Sequence, residues 1–276
     1  MIPLSSYEDI VQMALAEDLG QGDITSNAII PADKRAVARM IAKKSGVVCG
    51  LQVAETVFNA VDHGLIVELM ARDGDAVEAG QEVLEVSGSA RSILSAERVA
   101  LNFVQQLSGV ASETRKVVDL IAGTKAQVID TRKTTPGLRS LEKYAVRCGG
   151  GGNHRMGLYD MVLIKDNHIA VAGGVAAALQ AVSGRSEKVE IEVDTLDQLR
   201  EALGAGAKFI LLDNMSPAVM KEAVAITNGA AVLEASGGIT PTNIRAVAES
   251  GVDLISLGFL THSAPALDIG LDIFLS

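Results

Sequence analysis

From Lys125 onward the chain repeats one pattern that limits the folds open to it: a short apolar run, a polar tip, then a helix-length stretch. The apolar runs occupy residues 126–129, 161–164, 189–193, 209–212, 231–233 and 254–257. The helix-length stretches between them cover 138–148, 175–182, 196–205, 217–227 and 242–250. Strands covered on both faces read as apolar runs, and strand–helix alternation marks a parallel sheet. The pattern predicts an α/β barrel with its functional groups at the carboxyl ends of the strands. Six strands are fewer than the eight that close a barrel, so an open, incomplete TIM-like barrel is expected; a doubly wound sheet is the alternative.

The upstream chain reads differently. Ser6 with Asp9 three residues on predicts a capped helix to about Ala16, followed by a turn-rich loop over 20–26. Alternation over 36–42 and 65–71 suggests strands around a helix at 53–61, and a tight turn at 73–80 leads into a strand at 82–86. Two helices, 91–107 and 112–122, are expected on either side of Gly109. Arg98 has Leu94 and Leu101 about one turn away on either side; spacing alone reads it as an arginine lying along apolar surface.

Charge singles out the first barrel tip. Asp130-Thr131-Arg132-Lys133-Thr134-Thr135 passes from strand into hydroxyls and fixed cations before Pro136-Gly137 turns the chain. Between Thr131 and Lys165 stand seven Lys and Arg against Glu142 and Asp160 alone, so the span carries +5 and the rest of this −10 chain carries −15. Such an island suits a ligand with several anionic groups. The acidic total, with no basic stripe among aromatics, argues against nucleic acid. Cys49 and Cys148 have no metal-ligand partner at useful spacing and are expected as free thiols. Met1-Ile2-Pro3-Leu4 does not read as a targeting signal, no stretch has a membrane-spanning length, and a cytoplasmic location is expected.

Other tips add chemistry. Glu192 and Asp213 end neighbouring strands, where they suit Mg²⁺, a developing cation, or ion pairs with Lys133 or Lys165. Ser236-Gly237-Gly238 and Gly258-Phe259, each placed directly before a helix, offer backbone N–H groups to a phosphate, unless the glycines merely permit tight turns. His262 and Ser263 are candidate side-chain donors there. His154-Arg155 follows four glycines with no Gly-Lys-Ser/Thr after them; this pliable run is expected to swing Arg155 inward rather than to form a nucleotide loop.

Taken together, Thr131-Arg132-Lys133-Thr134-Thr135-Pro136-Gly137-Leu138-Arg139, Asn153-His154-Arg155-Met156-Gly157-Leu158-Tyr159-Asp160, Leu163-Ile164-Lys165-Asp166-Asn167-His168, Glu234-Ala235-Ser236-Gly237-Gly238 and Thr261-His262-Ser263-Ala264-Pro265 resemble quinolinate phosphoribosyltransferases. Glu17-Asp18-Leu19-Gly20 and Ala96-Glu97-Arg98-Val99-Ala100-Leu101-Asn102-Phe103 extend the likeness over nearly the whole chain. The resemblance implies an N-terminal α/β sandwich over 1–108, an open barrel over 109–266, and a tail, 267–276, that packs back on the first domain. It implies transfer of phosphoribosyl from phosphoribosyl pyrophosphate to quinolinate, with Mg²⁺ and decarboxylation, in NAD biosynthesis. It further implies a homodimer or larger assembly in which Arg98 crosses to the partner's site.

By the same resemblance, Thr131, Arg132, His154, Arg155 and Lys165 join Arg98 around quinolinate. Lys133, Glu192 and Asp213 match the residues around ribose, pyrophosphate and metal, and Ser236, Gly237, Gly238, Leu257, Gly258, Phe259 and His262 the 5′-phosphate site. The rival readings are a molybdate-associated relative, a Schiff-base aldolase using Lys165, and a non-catalytic metabolite-sensing barrel.

Overall fold

The structure is a computed structural model that describes residues 7–275; Ser6 and its expected cap lie outside the described residues. The chain forms two compact units, the first from residues up to 115 with 134–150 and 260 onward, the second from 116–133 and 151–259.

In the first unit, α1 (Glu8–Leu19) buries Val11 and Leu15. Where a loop was expected there is a second short helix, α2 (Ile24–Ile29). Asp23 caps it, its Oδ1 accepting from the backbone N–H groups of Thr25 and Ser26 at 3.0 and 2.9 Å. Strand β1 (Arg35–Ala42) buries every second residue, Ala36, Ala38, Met40 and Ala42, as a strand with one covered face does. It is followed by β2 (Gly46–Val47), α3 (Leu51–Val61), β3 (Ile66–Leu69), β4 (Ala76–Val77) and β5 (Glu82–Ser89). Helix α3 turns Val53, Ala54, Val57 and Phe58 into the core.

The next helix, α4 (Ala90–Leu120), is continuous for 31 residues and runs straight through Gly109. A Cβ at Gly109 would overlap the carbonyl oxygen of Pro265 and lie 3.0 Å from Ala266 Cα. Glycine is needed there for close backbone approach, not to break the helix.

The second unit supplies six parallel strands: β6 (Gln127–Ile129), β7 (Val162–Ile164), β8 (Val189–Val193), β9 (Phe209–Asp213), β10 (Val232–Ser236) and β11 (Leu254–Ser256). They pair in the order β6-β11-β10-β9-β8-β7, leaving β6 and β7 as the ends of an open barrel sheet. Gly152 adds a parallel bridge to Ile129 at the β6 end. The connecting helices are α5 (Arg139–Cys148), counted with the first unit, then α6 (Asp166–Ala172), α7 (Val175–Ala181), α8 (Leu196–Gly204), α9 (Pro217–Thr227), α10 (Ile244–Glu249) and α11 (Phe259–His262). The last strand, β12 (Ile269–Leu275), pairs antiparallel with β1 and completes the first unit's four-stranded sheet, β12-β1-β5-β3. Among the described residues, no helix is long and apolar enough to cross a membrane.

Sheet register sets what the barrel interior holds. Side chains two apart on a strand share a face, so Glu190 and Glu192 lie on one face of β8, the first deeper and the second nearer the carboxyl end. Pairing Ser236 with Asp213 brings the tips of β10 and β9 level.

Candidate active site

A cavity of about 660 Å³ opens among the strand ends of the second unit. Its basic wall is Arg132, Lys133, His154, Arg155 and Lys165, and its acidic wall is Glu192, Asp213 and Glu234. Thr131, Asn214, Ser236, Gly237 and Gly238 complete the part of the lining that concerns chemistry. Leu257, Gly258 and Phe259 follow β11 and are not in that lining. Arg98 is exposed on α4 and His262 is exposed at the end of α11, both in the first unit. The motif residues Glu17, Asp18, Asn102 and Phe103 meet in the first unit, around a separate cleft of about 200 Å³.

The glycine turns need a correction. Helix α10 begins at Ile244, so Gly237 and Gly238 do not sit directly at a helix N-terminus. Both have positive φ, +84° and +63°, and a Cβ on Gly237 would overlap the Asn214 side chain. The pair is glycine because the β10 tip passes tightly over Asn214 with left-handed backbone. Only Gly258 directly precedes a helix, the single turn α11.

Arg155 is placed by a chain of internal bonds. Asp130, fully buried just after β6, accepts from Asn153 Nδ2 at 2.7 Å and from the backbone N–H of His154 at 2.8 Å. Beyond Arg155, both Asp160 oxygens accept backbone N–H groups, those of Met156 at 2.6 Å and Gly157 at 2.9 Å. The two aspartates thus brace the loop on either side of the arginine. Its Nη1 donates to the Met161 carbonyl at 3.1 Å, and its buried Nε has no hydrogen-bond partner among the described residues. Burial pulls the Arg155 guanidinium below the usual arginine range, and neighbouring Arg132 pulls the same way. An anion bound here would relieve both.

Glu192 faces Lys165, with Nζ 3.3 Å from Oε2. That carboxylate is only 11% exposed whereas the lysine is 49% exposed, so the pair sits at the cavity's mouth. Burial pushes the Glu192 carboxyl above the usual range; Lys165 opposes the shift and Asp213 adds to it. Asp213 is also raised, first by burial, although Asn214 Nδ2 donates to its Oδ2 at 2.7 Å. Two partly buried carboxylates on adjacent strands, each held above its ordinary range, form a donor set that fits a divalent cation keeping much of its own water. Thr131 Oγ1 accepts the Lys133 N–H at 3.0 Å and shapes the turn that carries Arg132 and Lys133.

Four residues in this arrangement carry no role in the sequence reading: Asp130, Asn153, Glu190 and Glu234. The last two show a usable signal, since each is an acid flanked on both sides by apolar residues within a strand.

The fold and rim define an open α/β-barrel protein whose cavity accepts a substrate with several anionic groups. Comparison with known families makes the assignment specific. The sequence model described as "Quinolinate phosphoribosyl transferase, C-terminal domain" matches residues 110–272, and that of the N-terminal domain matches residues 23–108. The chain is 44% identical to the "Probable nicotinate-nucleotide pyrophosphorylase [carboxylating]" of Bacillus subtilis, over 94% of this chain and 91% of that protein. It is 43% identical to the "Quinolinate phosphoribosyltransferase [decarboxylating] 2, mitochondrial" of Nicotiana glauca, over 98% of this chain and 83% of the relative. The solved nicotinate-nucleotide pyrophosphorylase of Francisella tularensis superposes with a TM-score of 0.96 at 43% identity, covering 99% of this chain and 98% of that one. The chain belongs to the quinolinate phosphoribosyltransferase family.

Proposed function

We propose that this protein transfers the phosphoribosyl group of phosphoribosyl pyrophosphate to quinolinate and releases nicotinate mononucleotide, CO₂ and pyrophosphate in NAD biosynthesis. The observation that carries the reading is one cavity combining Arg132, Arg155 and Lys165 with Glu192, Asp213 and the Ser236-Gly237-Gly238 turn. Guanidinium and ammonium groups suit a pyridine dicarboxylate, and the glycine turn suits a sugar phosphate.

In the reaction, quinolinate's ring nitrogen bonds to C1 of the ribose as the bond from C1 to pyrophosphate breaks. Positive charge builds on the sugar, and Glu192 and Asp213 stabilise it electrostatically in a partly dehydrated cavity. Arg132, Arg155 and Lys165 hold the two carboxylates and fix the ring nitrogen toward the sugar, which removes much of the entropic barrier. Lys133 assists at the pyrophosphate. Glu192 and Asp213 are the residues that would hold Mg²⁺, which when bound offsets the charge of the pyrophosphate leaving group. The C–C bond to the carboxylate beside the nitrogen then breaks; its electrons are accepted by the cationic ring, and that carbon takes up a proton.

We assign quinolinate contacts to Arg98, Thr131, Arg132, His154, Arg155 and Lys165, with Arg98 reaching a partner's site in a homodimer. Ser236, Gly237, Gly238, Leu257, Gly258, Phe259 and His262 are assigned to the 5′-phosphate. Domain boundaries at 1–108 and 109–266 follow the family likeness. The free cysteines Cys49 and Cys148 favour a reducing cytoplasm. The test is direct: purified protein with quinolinate, phosphoribosyl pyrophosphate and Mg²⁺ produces nicotinate mononucleotide. Quinolinate binding without any turnover would favour the sensing-barrel alternative.

A further inference from the structure

At the floor of the substrate cavity, which Glu234 lines, the barrel interior carries two acids that the proposed reaction leaves unused. Glu190 on β8 and Glu234 on β10 each keep only 2% of the side chain exposed, in a layer where a barrel ordinarily packs apolar side chains. His154 comes down between them, 9% exposed, with Nε2 at 3.1 Å from Glu190 Oε2 and 3.6 Å from Glu234 Oε2. The other ring nitrogen, Nδ1, accepts the backbone N–H of Arg155 at 2.7 Å. A ring that accepts at Nδ1 carries its proton on Nε2, so the N–H is directed at the acidic pair. The His154 backbone N–H is fixed independently, by Asp130.

Charge is consistent with this geometry. Burial, then Glu190, push the Glu234 carboxyl up to about 7, and the shorter of the two contacts to His154 is that of Glu190. Glu190 also favours the charged form of Arg155, against burial and against Arg132. The three side chains converge closely enough to hold a metal ion, their ligand atoms within 4.8 Å of one another. The hydrogen bond from Nε2 and the adjacent guanidinium charge favour a different role.

We infer that Glu190 and Glu234 are positioning residues: by anchoring the His154 ring across the barrel, they fix the peptide that aims Arg155 into the substrate cavity. The inference rests on the quinolinate reading of that cavity and deepens it. It makes the quinolinate subsite sensitive to two acids whose action runs through His154, while the sugar-phosphate side of the cavity stays independent of them.

Acceptor loss and charge loss predict opposite signs, which makes the role testable. Glu190→Met removes both the charge and the acceptor 3.1 Å from the buried Nε2. Glu190→Gln keeps an acceptor and removes only the charge, which by itself favours a dianionic ligand. Glu190→Met is expected to raise the KM for quinolinate on the order of tenfold. It should leave the KM for phosphoribosyl pyrophosphate unmoved and lower kcat less than it raises KM. Glu190→Gln should restore quinolinate affinity to wild-type level or better, and Glu222→Gln on the exposed face of α9 serves as the charge control.

Glu234→Met, removing the carboxyl group 3.6 Å from Nε2, should move the same KM in the same direction by less, and keeps the test available should Glu190→Met fail to fold. Calorimetric titration of each folded variant with quinolinate alone gives the affinity without turnover. An unchanged quinolinate affinity in Glu190→Met and Glu234→Met, or equal weakening in the Gln and Met variants, would overturn the inference. A wild-type protein that binds quinolinate without converting it would instead overturn the functional reading and leave this one standing.

Discussion

Replacing Arg155 by Met should separate binding from stability. Methionine keeps much of the apolar stem and removes the guanidinium. In the free protein that group has one donor on the Met161 carbonyl and a buried Nε with no partner among the described residues, and burial and Arg132 both oppose its charge. A substrate carboxylate received by such a fork makes two charge-assisted hydrogen bonds. At roughly 1.5 kcal/mol or more each, their loss costs about 3 kcal/mol, or about a hundredfold in quinolinate KM. The free variant should melt at or slightly above the wild-type temperature, because an opposed charge has been removed. The assays are steady-state kinetics with quinolinate varied at saturating phosphoribosyl pyrophosphate and Mg²⁺, and thermal melts with and without quinolinate. The wild type should be stabilised by quinolinate and the variant should not. A quinolinate KM within roughly threefold of wild type, joined to a melting temperature several degrees lower, would show Arg155 to be structural and refute the reasoning.

Three further outcomes follow from the same geometry. Glu192→Ala should depress kcat more than it raises either KM, because its contact with developing sugar charge exists mainly in the transition state; an unchanged kcat removes it from the chemistry. Glu234 takes part in a pH effect whose sign is fixed. Its carboxyl rises from an ordinary 4.5 to about 7 in the folded protein, which therefore holds a proton that the unfolded chain has released between those values. Stability contributed by that proton is present below the lower value and is lost as pH rises through about 7. Glu234→Gln, uncharged throughout, should therefore melt a few degrees above wild type at about pH 8 and close to it at about pH 5; equal shifts at both would contradict the assignment. Finally, Arg98→Ala and Arg132→Ala should each be nearly inactive alone and regain activity when mixed and allowed to exchange subunits, whereas simple additivity would exclude a shared site.

How much of this was legible beforehand depended on whether a feature is local. The barrel strands were, because burial on both faces leaves apolar runs such as Phe209 to Leu212 that resist other readings. The continuity of α4 was not: Gly109 reads as a breaker, and only the Pro265–Ala266 backbone packed against it explains the glycine. Helix α6 buries none of its residues, so the Lys165-Asp166-Asn167-His168 tip gave no periodic signal of the helix it begins. Helix α2 was hidden similarly in a polar stretch, although Asp23 stands as its cap.

At the site, Arg132, Lys133, Arg155 and Lys165 of the charge island line one cavity with the strand-end acids, whereas Arg139, Lys143 and Arg147 of the same island belong to the first unit. The supports behind the cavity residues were not visible. Asp130, Asn153, Glu190 and Glu234 come from four separated stretches, and nothing in any one of them states that a loop histidine will settle between two strands.

The central claim is that one cavity joins a pyridine dicarboxylate to an activated sugar and then decarboxylates it. Quinolinate carrying isotopic label in the carboxylate beside the ring nitrogen tests this most directly. The account predicts labelled CO₂, pyrophosphate and nicotinate mononucleotide in equal amounts, all dependent on phosphoribosyl pyrophosphate. Pyrophosphate released with the label retained in the nucleotide, or labelled CO₂ formed without the sugar donor, would contradict it.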